Sequence, residues 1–163
     1  MYISADKFKF PFVPDPVKLS KRLADIVDSL PLHDGIRILE IGCGPGAMAR
    51  EISKRIVNGH VLAIDRSAKA IQQAIGNSTA EVATGKLSFR RSSIEEFELN
   101  PGEKRYDLAI AVRVGALDGR HPEIEKEALK KIAAALTKKG KLLLGEEVPL
   151  HEGSLDEYRE LGL

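Results

Sequence analysis

The sequence predicts an α/β domain: a doubly wound, mainly parallel sheet with helices on both faces. Three observations carry this. Five short apolar runs, at 36–41, 60–64, 87–90, 106–112 and 141–145, are separated by stretches whose apolar residues recur at helical spacing. Strands that alternate with helices pair in parallel through right-handed crossovers. The fourth run, Tyr106-Asp107-Leu108-Ala109-Ile110-Ala111-Val112, is almost continuously apolar, as expected of a strand covered on both faces. The first run ends in a turn with glycine at alternate positions, Gly42, Gly44 and Gly46, and this turn opens straight into a helix. In doubly wound folds, ligands bind at such strand–turn–helix junctions.

Residues 1–14 alternate Phe8, Phe10 and Phe12 with Lys9 and Pro11. This reads as an extended lid over the core edge, or else as a wall of a ligand pocket; Pro11 and Pro14 exclude a central strand or a helix. Asp15 then caps a helix with Pro16 at its first position, and Val17, Leu19, Leu23, Ile26, Val27 and Leu30 give an amphipathic helix over 16–30, stopped by Pro31. His33-Asp34-Gly35 turns into the first strand, Ile36–Ile41, with Arg37 near its solvent-accessible entry. The glycine turn feeds a helix over about 46–57, ended by Asn58-Gly59. The second strand, His60–Ile64, ends on Asp65, and Ser67 caps a third helix. Gly76-Asn77 leaves open whether that helix breaks before a second stretch at 79–84.

Leu87–Arg90 is the third strand, half-buried by its alternation, and Ser92–Phe97 a loop or helical turn; Asn100-Pro101-Gly102 is a turn. After the fourth strand, a connector over 113–120 leads to a helix from Pro122 to about Leu136. Lys138-Lys139-Gly140 closes it, with cations at the negative end of the dipole. The fifth strand is Lys141–Gly145, and one short helix follows at 154–161. No repeat or linker divides the chain: residues 1–163 are expected to form one domain, with a lid and helix over 1–30 and the core over 36–146.

Composition excludes several classes. With 25 basic and 24 acidic residues the net charge is +1, which supplies no field for nucleic acid or an anionic membrane. No apolar run approaches the ~20 residues that span a bilayer, and the N-terminus has no signal-peptide pattern. The single cysteine, Cys43, cannot form an internal disulfide, so a reducing, cytoplasmic location is expected. The four histidines, at 33, 60, 121 and 151, have no metal-ligand spacing.

Two acids stand out. Glu40 lies inside an apolar strand, where a carboxylate without a partner is costly; a functional role outweighs a structural one. Asp65 ends the second strand, where it can accept hydrogen bonds from a ribose diol or cap the next helix. Cys43 is read as a packing residue, since nothing near it marks an activated thiol. Asp107 is read as a hydrogen bonder at a strand entry.

These residues carry a resemblance. Ile38–Gly46, then Val61–Ser67, Phe89–Phe97, Tyr106–Leu108 and Leu136–Leu143 closely resemble, in order, the motifs of class I S-adenosylmethionine-dependent methyltransferases. That family implies a Rossmann-like sheet and the cofactor S-adenosyl-L-methionine. By the resemblance, Glu40 and the backbone of Gly42, Cys43, Gly44 and Gly46 flank the methionine part. Asp65 binds the ribose hydroxyls, Arg66 lies against adenine, and the Ile94 amide serves the ring. Ser93 stands where many members carry an acid that holds the adenine amino group. Val112 and Arg113 face the reacting methyl. Dehydrogenases use G-x-G-x-x-G instead, which is missing here because Ala47 follows Gly46.

The expected activity is transfer of a methyl group to a small-molecule acceptor by in-line displacement, chiefly a matter of alignment. The alternative is a non-catalytic binding or partner protein that keeps the fold. For a general base the candidates are His121, Asp118, Glu146 and His151, all after the fourth or fifth strand. The fourth strand lacks the Asn/Asp-Pro-Pro-aromatic motif of many amino-group and nucleic-acid methyltransferases, which disfavours those substrates. The family's antiparallel strand pair after the fifth strand is expected to be missing. That leaves a shortened sheet, a fragment, or an open sheet edge covered by a partner or a second copy.

Overall fold

The computed structural model describes residues 18–160. The Phe8–Phe12 segment and the Asp15-Pro16 helix start lie outside them. Helix α1 spans Lys21–Ser29, shorter than the 16–30 expected. Residues 18–20 are not helical, and the Ser20 hydroxyl accepts the Leu23 amide at 3.3 Å as N-cap. A hydroxyl that takes an otherwise orphaned amide fixes the start of a helix wherever the preceding backbone is extended.

Then follow β1 (Arg37–Ile41), α2 (Ala47–Arg55), β2 (His60–Asp65), α3 (Ala68–Asn77), α4 (Thr79–Ala83), β3 (Leu87–Arg91), a 3-10 turn at Ile94–Glu96, β4 (Tyr106–Val112), α5 (Pro122–Ala135), β5 (Leu136–Gly145), β6 (His151–Gly153) and α6 (Asp156–Arg159). The break left open after Gly76-Asn77 is real: Ser78 separates α3 from α4. The stretch 92–97 forms the 3-10 turn.

Among the described residues the sheet order is β3-β2-β1-β4-β5-β6. β1 pairs in parallel with both β2 and β4, and β3 and β5 extend the parallel sheet on either side. The chain winds outward in both directions from the β1/β4 boundary, so their carboxyl ends flank the crevice at the switch point. Alternate residues face opposite layers. Ile38, Val61, Ala63, Leu108 and Ile110 pack with Ile26 of α1, Ile52 of α2 and Ile71 of α3. Leu39, Leu62, Ala109, Ala111 and Leu142 pack with Ala128 and Ile132 of α5, together with Ile94 and Phe97. Both faces of the sheet are covered, as the continuous apolar run of β4 requires.

Two expectations at the C-terminal side are corrected. The helix closed by Lys138-Lys139-Gly140 ends at Ala135 instead, and those residues belong to β5. Leu136 pairs with Tyr106 and Lys141 with Leu108, so the expected turn is absorbed as an irregularity inside the strand. Gly140 permits it: a Cβ there would stand 2.9 Å from the Leu136 Cβ and 3.0 Å from the Tyr106 carbonyl. The Arg159 guanidinium, from α6, donates to the Gly140 carbonyl. Past β5 the sheet does acquire an antiparallel strand. β6 pairs with β5 through Leu144↔His151 and Leu142↔Gly153. Residues 146–150 turn the chain straight back, so no intervening helix is needed.

Candidate functional site

The site begins at the glycine turn. Gly42, Gly44 and Gly46 take φ of +68°, +53° and +83°, values that side chains with a Cβ rarely adopt. Each glycine meets different surroundings. A Cβ at Gly46 would stand 3.0 Å from Ala74 and the Phe89 ring, so this glycine lets α2 start close against β3 and α3. A Cβ at Gly42 would stand 3.0 Å from the Val114 side chain, whereas Gly44 faces open space. The Cys43 amide donates to the Ile64 carbonyl at 2.9 Å, which continues the β1–β2 ladder into the turn.

Asp65 ties this turn to the next element. Its Oδ2 accepts the Gly44 amide at 2.9 Å and its Oδ1 accepts the Ser67 amide at 2.8 Å. Ser67 in turn caps α3 by accepting the Ala70 amide at 3.2 Å. The capping and binding roles weighed for Asp65 are therefore compatible: the backbone uses one acceptor position on each oxygen, and each retains another.

Glu40 shares a sheet face with Ile38, the face that packs on α2. It is 4% exposed and its Oε2 has no hydrogen-bond partner. Burial pushes its carboxyl up to about 8, the Ala49 amide pulls it back, and the charge of Asp65 raises it further. The group is thus largely neutral at pH 7, and a cation beside it would favour its ionised form. Burial also pushes the Cys43 thiol well up, in keeping with a packing residue.

Two cavities open at the carboxyl ends of the strands. The first, about 320 Å³, is lined by Gly42, Asp65, Arg66, Ser93, Ile94 and Arg113, and by Val114, Gly115, Arg120 and His121 from the connector. The second, about 240 Å³, lies over β4 and β5 and is lined by Ala111, Val114, Leu117 and Leu144 together with Arg113, Asp118, Glu146 and His151. Arg113 and Val114 belong to the lining of both. Arg113 holds φ of +56°, costly for a non-glycine residue. Its amide donates to the Gly145 carbonyl at 3.1 Å and its carbonyl accepts the Arg120 guanidinium at 3.0 Å, which keeps it there.

Six of the cofactor-binding candidates therefore surround one cavity, while Glu40, Cys43, Gly44, Gly46 and Val112 do not line it. Of the base candidates, Asp118, Glu146 and His151 share the second cavity and His121 borders the first. Asp118 is bound to Arg120, whose guanidinium holds its carboxyl below the usual range. Val114, Gly115 and Glu95 escaped the sequence reading. Glu95 lines the first cavity two positions beyond Ser93; a second acid in Ser92–Glu96 was the available signal.

Comparison with known proteins follows the same lines. The family model described as "Methyltransferase domain" matches residues 32–160. A sterol 24-C-methyltransferase of Gibberella zeae is 27% identical over 95 residues, covering 57% of this chain and 25% of that protein. Among solved structures, YjhP from E. coli superposes with a TM-score of 0.62 at 22% identity, covering 79% of this chain and 49% of that one. An S-adenosylmethionine-dependent methyltransferase from Thiobacillus denitrificans, solved with S-adenosyl-L-homocysteine, gives 0.60 at 21% identity, covering 77% and 48%. At such identities the structural likeness establishes the fold. The chain spans a quarter of that sterol methyltransferase's length and about half of these solved chains.

Proposed function

The chain belongs to the methyltransferase domain family, and from that premise we propose that it binds S-adenosyl-L-methionine at the glycine turn and transfers its methyl group to a small-molecule acceptor. The observation that carries the reading is the buried, unpartnered Oε2 of Glu40 behind a turn whose Gly44 amide Asp65 holds in place. A buried carboxyl with an unpartnered oxygen fits a ligand with a positively charged end, which would favour its ionised form. Asp65, with acceptor positions still free, fits a ribose diol, and the first cavity, lined by Arg66, Ser93 and Ile94, has the size for a nucleoside. The cofactor supplies a methyl group on a sulfonium, so the departing thioether is already a good leaving group. The chain's own part is to orient: the turn would fix one end and Asp65 the middle, with Arg113 and Val114 lining the same cavity. Alignment of this kind supplies several kcal/mol of a barrier.

The binding half is tested by titration calorimetry with S-adenosyl-L-homocysteine. Wild type should bind, and Asp65→Ala should weaken binding by at least about tenfold, ~1.4 kcal/mol. Unchanged affinity in the variant removes Asp65 from the site, and no heat at millimolar ligand removes the cofactor.

A further inference from the structure

We propose that the Asp118–Arg120 ion pair is a positioning clamp for the first cavity: it holds Arg113 in its left-handed conformation and so seats Val114 against the glycine turn. Arg120 and Asp118 are thus positioning residues that act on the ligand through the backbone of Arg113. This rests on the proposed cofactor reading and names what keeps that site in shape.

The backbone of Arg113 is where the chain leaves β4. Its amide is anchored to the sheet through the Gly145 carbonyl at 3.1 Å. The direction of the connector is then set by the two dihedrals of Arg113, and φ stands at +56°. L-residues are disfavoured in this region. The contact that restrains it is the Arg120 guanidinium, which donates to the Arg113 carbonyl at 3.0 Å. A charge-assisted hydrogen bond is of the size needed to offset such a backbone cost.

Arg120 is itself held. Its Nε donates to both oxygens of Asp118, at 3.0 and 2.8 Å, and its own backbone amide donates to Oδ1 at 3.1 Å. The guanidinium lies close over the connector: a Cβ on Gly115 would stand 3.6 Å from it. The Arg120 side chain is 61% exposed, so the pair adds little to global stability. Its effect is local, on the conformation that Arg113 keeps.

The consequence reaches the site through the next residue. The Val114 side chain is what a Cβ on Gly42 would meet at 3.0 Å, so the connector packs directly on the glycine turn. Gly42, Arg113 and Val114 all line the first cavity. A relaxed Arg113 with negative φ would carry Val114 off that contact and change the shape of the cavity. Arg120 also lines the first cavity, whereas Asp118 does not. An effect of Asp118 on binding there has to pass through Arg120.

The test measures S-adenosyl-L-homocysteine by calorimetry on the full chain and the backbone of Arg113 by NMR without ligand. A residue with positive φ brings its amide hydrogen close to its own Hα, which gives a strong intraresidue NOE. Wild type should show that NOE at Arg113, and Arg120→Ala should lose it. Arg120→Ala should also weaken S-adenosyl-L-homocysteine by about three- to tenfold. Asp118→Asn should weaken it in the same direction and add less than about twofold on top of Arg120→Ala. In the Arg113→Gly background, where the left-handed backbone costs nothing, adding Arg120→Ala should change affinity by less than about twofold. The proposal is overturned if the Arg113 NOE is weak in wild type or survives Arg120→Ala. It is equally overturned if Arg120→Ala leaves affinity unchanged, or weakens it as much in the Arg113→Gly background, since Arg120 would then act on the ligand directly. Failure of the cofactor reading is distinguishable: wild type would give no heat, which removes the ligand from this inference, while the NOE still decides whether the ion pair holds Arg113.

Discussion

At the scale of single residues, Glu40 and Asp65 set the character of the site by opposite means. Asp65 is satisfied by backbone amides at both oxygens, whereas Glu40 is buried with one oxygen unsatisfied. The second arrangement has a measurable consequence. With the Glu40 carboxyl raised from its reference of 4.5 to about 8, the folded chain holds a proton that the unfolded chain releases. The stability this contributes is fully present below about pH 4.5 and is lost as pH rises through about 8. Denaturant melts at pH 6 and pH 8.5 should therefore show a decline on the order of a few kcal/mol that Glu40→Gln abolishes. An equal decline in the variant would assign the effect elsewhere. Glu95 offers a second check at this scale. It lines the first cavity beside Ser93, and under the proposed cofactor reading, with Glu95 in place of the missing acid at 93, Glu95→Gln should weaken S-adenosyl-L-homocysteine by a few fold, about 0.5–1.5 kcal/mol in calorimetry.

At the scale of elements, the β1–turn–α2 unit matters most, because its geometry depends on what the neighbouring elements allow. Gly46 is confined by Ala74 of α3 and Phe89 of β3 and has φ of +83°. Gly46→Ala meets both obstacles at once, so thermal unfolding should report a loss of about 1–3 kcal/mol. Gly44→Ala, at an open position, meets only the backbone cost and should lose less. These glycines were legible as a turn from their spacing. The reasons at Gly42 and Gly46 were not, since they depend on residues 28 to 72 positions away in the chain. The same holds for the connector: Arg113 was expected to face the reacting methyl and Val114 carried no signal, whereas the structure puts both in the lining of two cavities, with Arg113 held by the Gly145 carbonyl and the Arg120 side chain.

At the scale of the molecule, the sheet carries a packed apolar layer on each face. Ile110, on the central strand β4, is fully buried in the layer beneath α1 and α2. Ile110→Ala should cost about 2–5 kcal/mol in denaturant unfolding, while Val57→Ala, at a side chain 59% exposed, should stay within about 0.5 kcal/mol. A comparable loss at both positions would mean that Ile110 is not in the core. The sequence by itself determined the order of strands and helices, the two-sided burial of β4, the glycine turn and the two acids. These follow from local rules: side-chain periodicity, backbone freedom, and the cost of a charge in an apolar run. Only the tertiary structure decided where α1 begins, how Lys138-Lys139-Gly140 is absorbed into β5, that β6 returns antiparallel, and which candidate bases share a cavity. Apart from the Ser20 cap of α1, those depend on pairing between distant segments: a bulge is tolerated only if the strand beside it can shift register, and His151 shares a cavity with Ala111 of β4 only because β6 folds back on β5.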